Sequence, residues 1–272
     1  MKNLQLIIWC GLVLLPLSGH AQKEKKIGSR IGFEMGFHEF FGSTIAPDRV
    51  RSTVSVDVSE YYTGGYENQS SHVIHKLYVG LKYEALLYKN KFGISSGIRL
   101  AQLSAQLDHN RNYDYFIWLL HQEERTANYV TIRDINQKNY YVCIPLEFRL
   151  FLSKIDRLLK NYVKLGGANS YVKLGGALNY RFSTVYDTDF QDTEMSKHAG
   201  EVENQILKPC TYSGFIYPAF GFRWGRNKNP WVNVEFQFPG FIIAQRKHSF
   251  VNPDFGLGMQ LSVQLPLNKT TQ

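Results

Sequence analysis

The sequence predicts an all-β fold, an eight-stranded antiparallel transmembrane β-barrel, and three observations carry that prediction. Eight segments alternate apolar residues with polar or very small ones, which is the pattern of strands with two unlike faces. The last segment, 254–267, places an apolar run on one face that is as long as a tilted strand needs to cross a bilayer. The connections alternate long and short, as expected for long extracellular loops and mostly short periplasmic turns.

The eight predicted strands follow one another with the same two-residue period. Their apolar faces run over Ile31–Phe37, Leu77–Leu87, Phe92–Leu100, Tyr140–Leu150, Val172–Phe182, Ile216–Trp224, Val232–Phe238 and Phe255–Leu265. In the third strand the phase slips near Ala101, which predicts a β-bulge. In the fourth strand Pro145 lacks an amide donor, which predicts a bulge or an unusual ladder position.

The four long segments, predicted as extracellular loops, are 39–71, 108–139, 183–211 and 239–253. The first contains a short alternating piece, Val54–Val58, and the aromatic-rich stretch 113–121 of the second is predicted to be a short helix or a strand extension. The 153–170 connection holds the first copy of a repeat, since Tyr162–Ala168 recurs as Tyr171–Ala177. The offset of nine is odd, so both copies cannot sit equivalently in one strand. We expect the second copy in the fifth strand.

The N-terminus predicts export. Residues 1–21 combine Lys2, an apolar run from Leu4 to Leu17 and a small-residue cleavage site, which is typical of a cleaved signal peptide. A charged leader (22–26), the barrel (27–267) and a polar tail (268–272) are predicted to follow. No later apolar run reaches 18 residues, so a helical membrane span is excluded.

The net charge and the cysteines limit which partners and which disulfide can be expected. The net charge of +8 is typical of a soluble surface and basic loops, and it would also suit the anionic head groups of lipopolysaccharide. We expect contacts with outer-membrane lipid, with the barrel-insertion machinery and with an unknown surface ligand or envelope protein, and no nucleic acid, since no basic-aromatic module is present. Export makes a Cys143–Cys210 disulfide chemically feasible, and two separate thiols are the alternative.

Three stretches carry a resemblance to a known family. NYYVCIPLEFRLFL (139–152), YVKLGGALNYRF (171–182) and DFGLGMQLSVQLPL (254–267) resemble the outer-membrane β-barrel domain proteins of Bacteroidota. These are PorT-like barrels, similar in shape to the OmpA-type eight-strand barrel. The resemblance implies an outer-membrane location and this fold, and it implies no catalytic motif.

If the apolar face meets lipid, the opposite face places twelve charged residues in the lumen. An eight-stranded barrel is just wide enough for side chains to fill, and charges there must pair or stay hydrated. We therefore predict a salt-bridge network that plugs the barrel, and a basic lumen that binds or passes a small anion is the alternative. The predicted residues are Arg30, Glu34, Lys76, Lys82, Glu84, Arg99, Glu147, Arg149, Lys173, Arg181, Arg223 and Glu235. Glycines on the same face would leave room for these long side chains.

No catalytic, cofactor or metal site is predicted, because no recognised motif or ligand spacing is present. A lipid-modifying enzyme would have to use a histidine among His38, His72, His75, His121 and His248 with a nearby serine. We expect a structural or surface-binding barrel acting through its extracellular loops, with a PorT-like part in protein secretion as the alternative. The competing fold is a secreted lipocalin-like barrel with the two faces exchanged.

Overall fold

A computed structural model describes residues 28–44, 50–51, 74–87, 91–108, 115–120, 129–152, 169–206, 208–225, 229–244 and 251–267. The predicted signal peptide, leader and tail, the first repeat copy and Val54–Val58 lie outside these residues. The described strands are β1 (Gly28–Thr44), β2 (Val50–Arg51), β3 (Ile74–Leu87), β4 (Phe92–Asp108), β5 (Phe116–Leu119), β6 (Tyr129–Phe151), β7 (Asn169–Phe190), β8 (Tyr212–Trp224), β9 (Trp231–Ala244) and β10 (Val251–Pro266). A 3₁₀ helix (Thr193–His198) and helix α1 (Ala199–Gln205) lie between β7 and β8.

Eight of these strands close into a ring. Going round it, β1 pairs with β3, then β4, β6, β7, β8, β9 and β10 follow, and β10 returns to β1. Each pairing is antiparallel. The predicted eight-stranded antiparallel barrel is confirmed. The two remaining strands add to its rim, because β5 pairs with the start of β6 and β2 pairs with β5.

The wall of the barrel is apolar outside and polar inside. Leu81 and Ile98 are 62% and 60% exposed on the outer surface, whereas Glu34 and Lys82 are buried. Only lipid makes such a belt favourable. The lipocalin-like alternative is wrong, since it needs the apolar face inside. In the described part of the chain, no helix is long and apolar enough to span a membrane.

Aromatic side chains mark the extracellular edge of this belt. Ring centroids lie 6.3 Å apart for Tyr140 and Phe182, and 5.3 Å apart for Tyr180 and Tyr212. Aromatic rings with an apolar body and a polar tip favour the membrane–water interface. These pairs therefore place the outer interface where β6, β7 and β8 leave the lipid.

Above that edge the two faces exchange their polarity. In β4, Leu103 and Leu107 point inward and are buried, while Gln106 is exposed outside. The β3–β4 register runs without a shift, so the bulge predicted near Ala101 is wrong. The apolar residues change sides because the outer face now meets water and the inner face forms a core, as in a soluble sheet.

The start of β6 and the end of β7 are paired with each other and extend furthest beyond the membrane. β6 begins at Tyr129 and β7 ends at Phe190, inside the predicted loops 108–139 and 183–211. The other two predicted loop boundaries are also too wide, since β1 and β9 run into them. The boundaries at β6 and β7 were wrong because these strand ends have polar outer faces, with Arg133–Asp189 and Lys138–Asp187 ion pairs between them.

A cap closes the extracellular end of the barrel. The strand extension predicted within 113–121 is confirmed as β5, and its Trp118 is completely buried. The Trp118 indole donates to Gln205 Oε1 of α1 at 2.8 Å, and Gln205 Nε2 donates to the Leu120 carbonyl at 3.0 Å. Val202 and Ile206 bury their side chains in the same apolar cluster.

Three finer predictions concern β6 and β7. The second repeat copy, Tyr171–Ala177, lies in β7 as predicted. Pro145 occupies the unusual ladder position. Cys143 and Leu146 of β6 both pair with β4 in the same register, whereas the two residues between them, one of which is Pro145, do not pair with β4. Cys143 and Cys210 are not joined by a disulfide.

Glycines let large inward side chains lie flat against the wall. A Cβ at Gly175 would lie 2.4 Å from the ring of Tyr217, whereas a Cβ at the adjacent Gly176 would meet nothing nearer than 3.7 Å. The lumen therefore needs glycine at the first position and not at the second.

We predict that Gly175→Ala lowers the free energy of unfolding by about 1–3 kcal/mol, because the new methyl group overlaps Tyr217. Gly176→Ala, the matched control, should be within about 0.5 kcal/mol of the parent. Urea unfolding in lipid vesicles measures both. Equal effects of the two substitutions would contradict the packing described here.

Candidate functional site in the barrel lumen

The structure brings the predicted lumen charges together. Eleven of the twelve residues are buried, and the twelfth, Arg181, is half-buried near the extracellular end and donates to Thr184 Oγ1 at 2.7 Å. They come from seven of the eight barrel strands, because inward positions of neighbouring strands face one another across the narrow interior.

Glu147 of β6 is the centre of this network. Its carboxylate accepts from Arg99 Nη2 at 2.5 Å, from Lys173 Nζ at 3.1 Å and from Lys82. The hydroxyl groups of Ser95 and Tyr217 also donate to it. One carboxylate thus holds three cations from three other strands.

The other three acids complete the network. Glu34 binds Arg99, and Lys82 Nζ lies 3.6 Å away from it. Glu84 accepts two bonds from Arg149 Nη1, at 2.7 and 3.0 Å.

Glu235 joins the two halves of the network. It accepts from Arg149 Nη2 at 2.8 Å, from Tyr171 at 2.7 Å and from Lys173. Four acids and four bases therefore cancel in the middle of the lumen.

Neutral side chains extend the network toward the extracellular end, and sequence reasoning did not single them out. Gln260 donates to Glu34 at 2.8 Å and accepts from Tyr78 and Gln237, each at 2.8 Å. Their inward positions on the polar face were the available signal. Their bonding depends on the register between β9, β10 and β1, which the sequence alone does not display.

Two further cations lie at the periplasmic end. The guanidinium groups of Arg30 and Arg223 stack on Trp231 at 3.1 and 3.6 Å from the ring centroid, and Arg223 also lies 4.0 Å from that of Phe151. Arg30 Nη1 donates to the Asn229 carbonyl at 3.1 Å, two residues before β9 begins. Aromatic faces stabilise guanidinium groups in such stacks.

The last predicted lumen base, Lys76, lies on the extracellular side of the network. It is buried, with Nζ 4.4 Å from the centroid of the Phe215 ring. His38 lies opposite it on β1.

His38 and His75, the two described histidines among the five candidates, do not form a nucleophile–base arrangement, which needs a base held by an orienting group. Neither ring nitrogen of His38 has a hydrogen-bond partner, and His75 lies on the outer face against Phe37. His72, His121 and His248 lie outside the described residues. Within the described residues, no group of three or more His, Cys, Asp or Glu side chains could hold a metal ion.

A ring closed without an edge, with a lipid-facing belt and a polar interior, is the arrangement by which β-strands span the outer membrane. The chain is an integral outer-membrane β-barrel. No protein-family model matches it and no curated protein matches it, so the PorT-like resemblance stays a prediction.

Solved outer-membrane proteins are similar to this chain at low scores. The outer membrane protein OprG from Pseudomonas aeruginosa is 12% identical with a TM-score of 0.35, over 89% of this chain and 94% of OprG. The translocator domain of the autotransporter NalP from Neisseria meningitidis is 6% identical with a TM-score of 0.27, over 97% of each chain. An outer membrane channel from Pseudomonas putida F1 is 8% identical with a TM-score of 0.21, over 90% of this chain and 98% of the channel.

We predict that Glu147→Gln lowers the free energy of unfolding by about 3–5 kcal/mol, because it leaves three buried cations short of one negative charge. Adding Lys173→Met should restore part of that loss, since it removes one of those cations. Urea unfolding in vesicles measures the series.

The control is Asp187→Asn, which breaks the exposed pair with Lys138 and should cost less than about 1 kcal/mol. Similar losses for Glu147→Gln and Asp187→Asn would show that the buried network does not hold the barrel.

Proposed function

We propose that the protein is a non-enzymatic, non-conducting outer-membrane barrel that binds ligands or envelope partners through its extracellular part. The observation that supports this most is the double closure of the lumen. The network centred on Glu147 fills the middle of the barrel, and the Trp118 cap closes its extracellular end.

The ion-paired middle of the lumen opposes conduction. The four carboxylates are occupied by four bases, so a cation that enters the middle of the lumen finds none of these carboxylates free of a base. Opening a path would break several buried pairs together, each of which is costly to separate.

The extracellular part supports a surface role. The β6–β7 hairpin, β5 and α1 form a folded platform above the lipid, with exposed ion pairs and an exposed α1 surface. Rigid platforms often present binding loops. Lipopolysaccharide, a surface ligand or another envelope protein would meet this platform first.

A PorT-like part in protein secretion is supported by the family resemblance alone. A lipid-modifying activity has no support in the described lumen, where the acids are bound to bases. Barrel-insertion machinery remains an expected partner during assembly, as for other membrane barrels.

The conduction half of the proposal is tested in planar bilayers. The purified protein should show no single-channel steps, because the paired charges fill the lumen. Regular steps of uniform size in the parent protein would overturn the closed-lumen proposal.

The surface half is tested with cells that carry the parent protein or a variant whose 191–211 segment is replaced by a short turn. Binding of labelled lipopolysaccharide and of purified surface ligands should fall with this replacement and persist when the periplasmic 153–168 connection is shortened. Unchanged binding, combined with lost export of other proteins on gene deletion, would favour secretion instead.

A further inference from the structure

A polar layer lies between the ion-pair network and the extracellular cap. The β1–β3 register places His38 directly opposite Lys76, and both side chains point inward. They are 0% and 6% exposed. Directly opposed residues in a sheet interact closely, so these two share one environment.

Lys76 has no carboxylate partner in the described part of the chain. The network below gives Lys82 and Lys173 two carboxylates each. Lys76 instead has its Nζ over the face of Phe215. A ring face attracts a cation without cancelling its charge, so a protonated Lys76 has no counter-ion among the described residues.

His38 adds a second polar side chain to this layer. Its ring is stacked against Phe40 and Tyr78 and meets Phe215 edge-on, while both ring nitrogens lack a hydrogen-bond partner. Gly258 lets the ring lie against β10, because a Cβ there would come within 2.2 Å of it. In either neutral tautomer one ring N–H is free to donate.

Because the lumen holds more bases than acids, this layer carries a base that the four acids do not balance. The four acids are bound by Lys82, Arg99, Arg149 and Lys173, so they cannot neutralise Lys76 as well. Buried charges and unpaired polar atoms at one place indicate a bound group that completes them.

We propose that Lys76 and His38 hold a small monovalent inorganic anion of the chloride class inside the lumen. Lys76 supplies the counter-charge and His38 donates an N–H. Ile74 and Leu103 next to Lys76 are buried and apolar, which suits a single halide better than a phosphate with several oxygens. The anion is held in the lumen and does not pass through it.

The protein is refolded from urea into detergent micelles, and its thermal unfolding is then compared in sodium chloride and in sodium gluconate at equal ionic strength. Gluconate is too large for this layer. A ligand that binds only the folded state raises the unfolding midpoint. The midpoint of the heat-dependent gel shift should rise with chloride by roughly 3–5 °C per tenfold increase above the dissociation constant.

Lys76→Met should abolish this chloride dependence, and its midpoint in gluconate should equal or exceed that of the parent. Lys138→Met, which removes a half-buried lysine that is paired with Asp187, should keep the dependence. If Lys76→Met does not fold, crystals of the parent grown in sodium bromide decide, with an anomalous peak expected beside Lys76 Nζ. A parent midpoint equal in both salts, a dependence retained by Lys76→Met, or density for water alone at Lys76 would overturn the proposal.

Discussion

The pairing of buried charges around Glu147 is the interaction on which the rest of the structure depends. A membrane barrel needs polar residues on the face that is turned away from lipid, and a narrow barrel gives those residues little water. The carboxylates compensate for the missing water by binding cations from several strands at once. Arg99, Lys82 and Lys173 come from β4, β3 and β7, so one network fixes the order of strands and their register.

This constraint explains features elsewhere in the wall. Large inward side chains lie flat against the wall where the neighbouring strand carries a glycine, as Gly175 of β7 does beside Tyr217 of β8. A shift of one residue in register would turn the charges into lipid and the apolar belt into the lumen. Above the lipid the same strands exchange their polarity, so Leu103 and Leu107 join the cap that closes the barrel.

The sequence alone predicted the ring of eight strands, the face of each strand and the inward charges, because a two-residue period carries that information. It did not predict which charges pair, since Arg99 and Glu147 meet only after β4 and β6 have taken their register. The bulge at Ala101 was a misinterpretation of a regular strand that leaves the membrane. Likewise, β6 starts at Tyr129 within a predicted loop, because its outer face there is polar and resembles loop sequence. The Trp118–Gln205 contact joins distant segments and left no local pattern.

Membrane fractionation, combined with gel mobility before and after boiling in detergent, tests the central claim most directly. A closed barrel with a lipid-facing belt should stay in the outer-membrane fraction after carbonate extraction. Its mobility should change on boiling, since the paired strands resist detergent until heat separates them. A soluble or periplasmic band with the same mobility before and after boiling would contradict the membrane barrel, and with it the assignment of the charged face to the lumen.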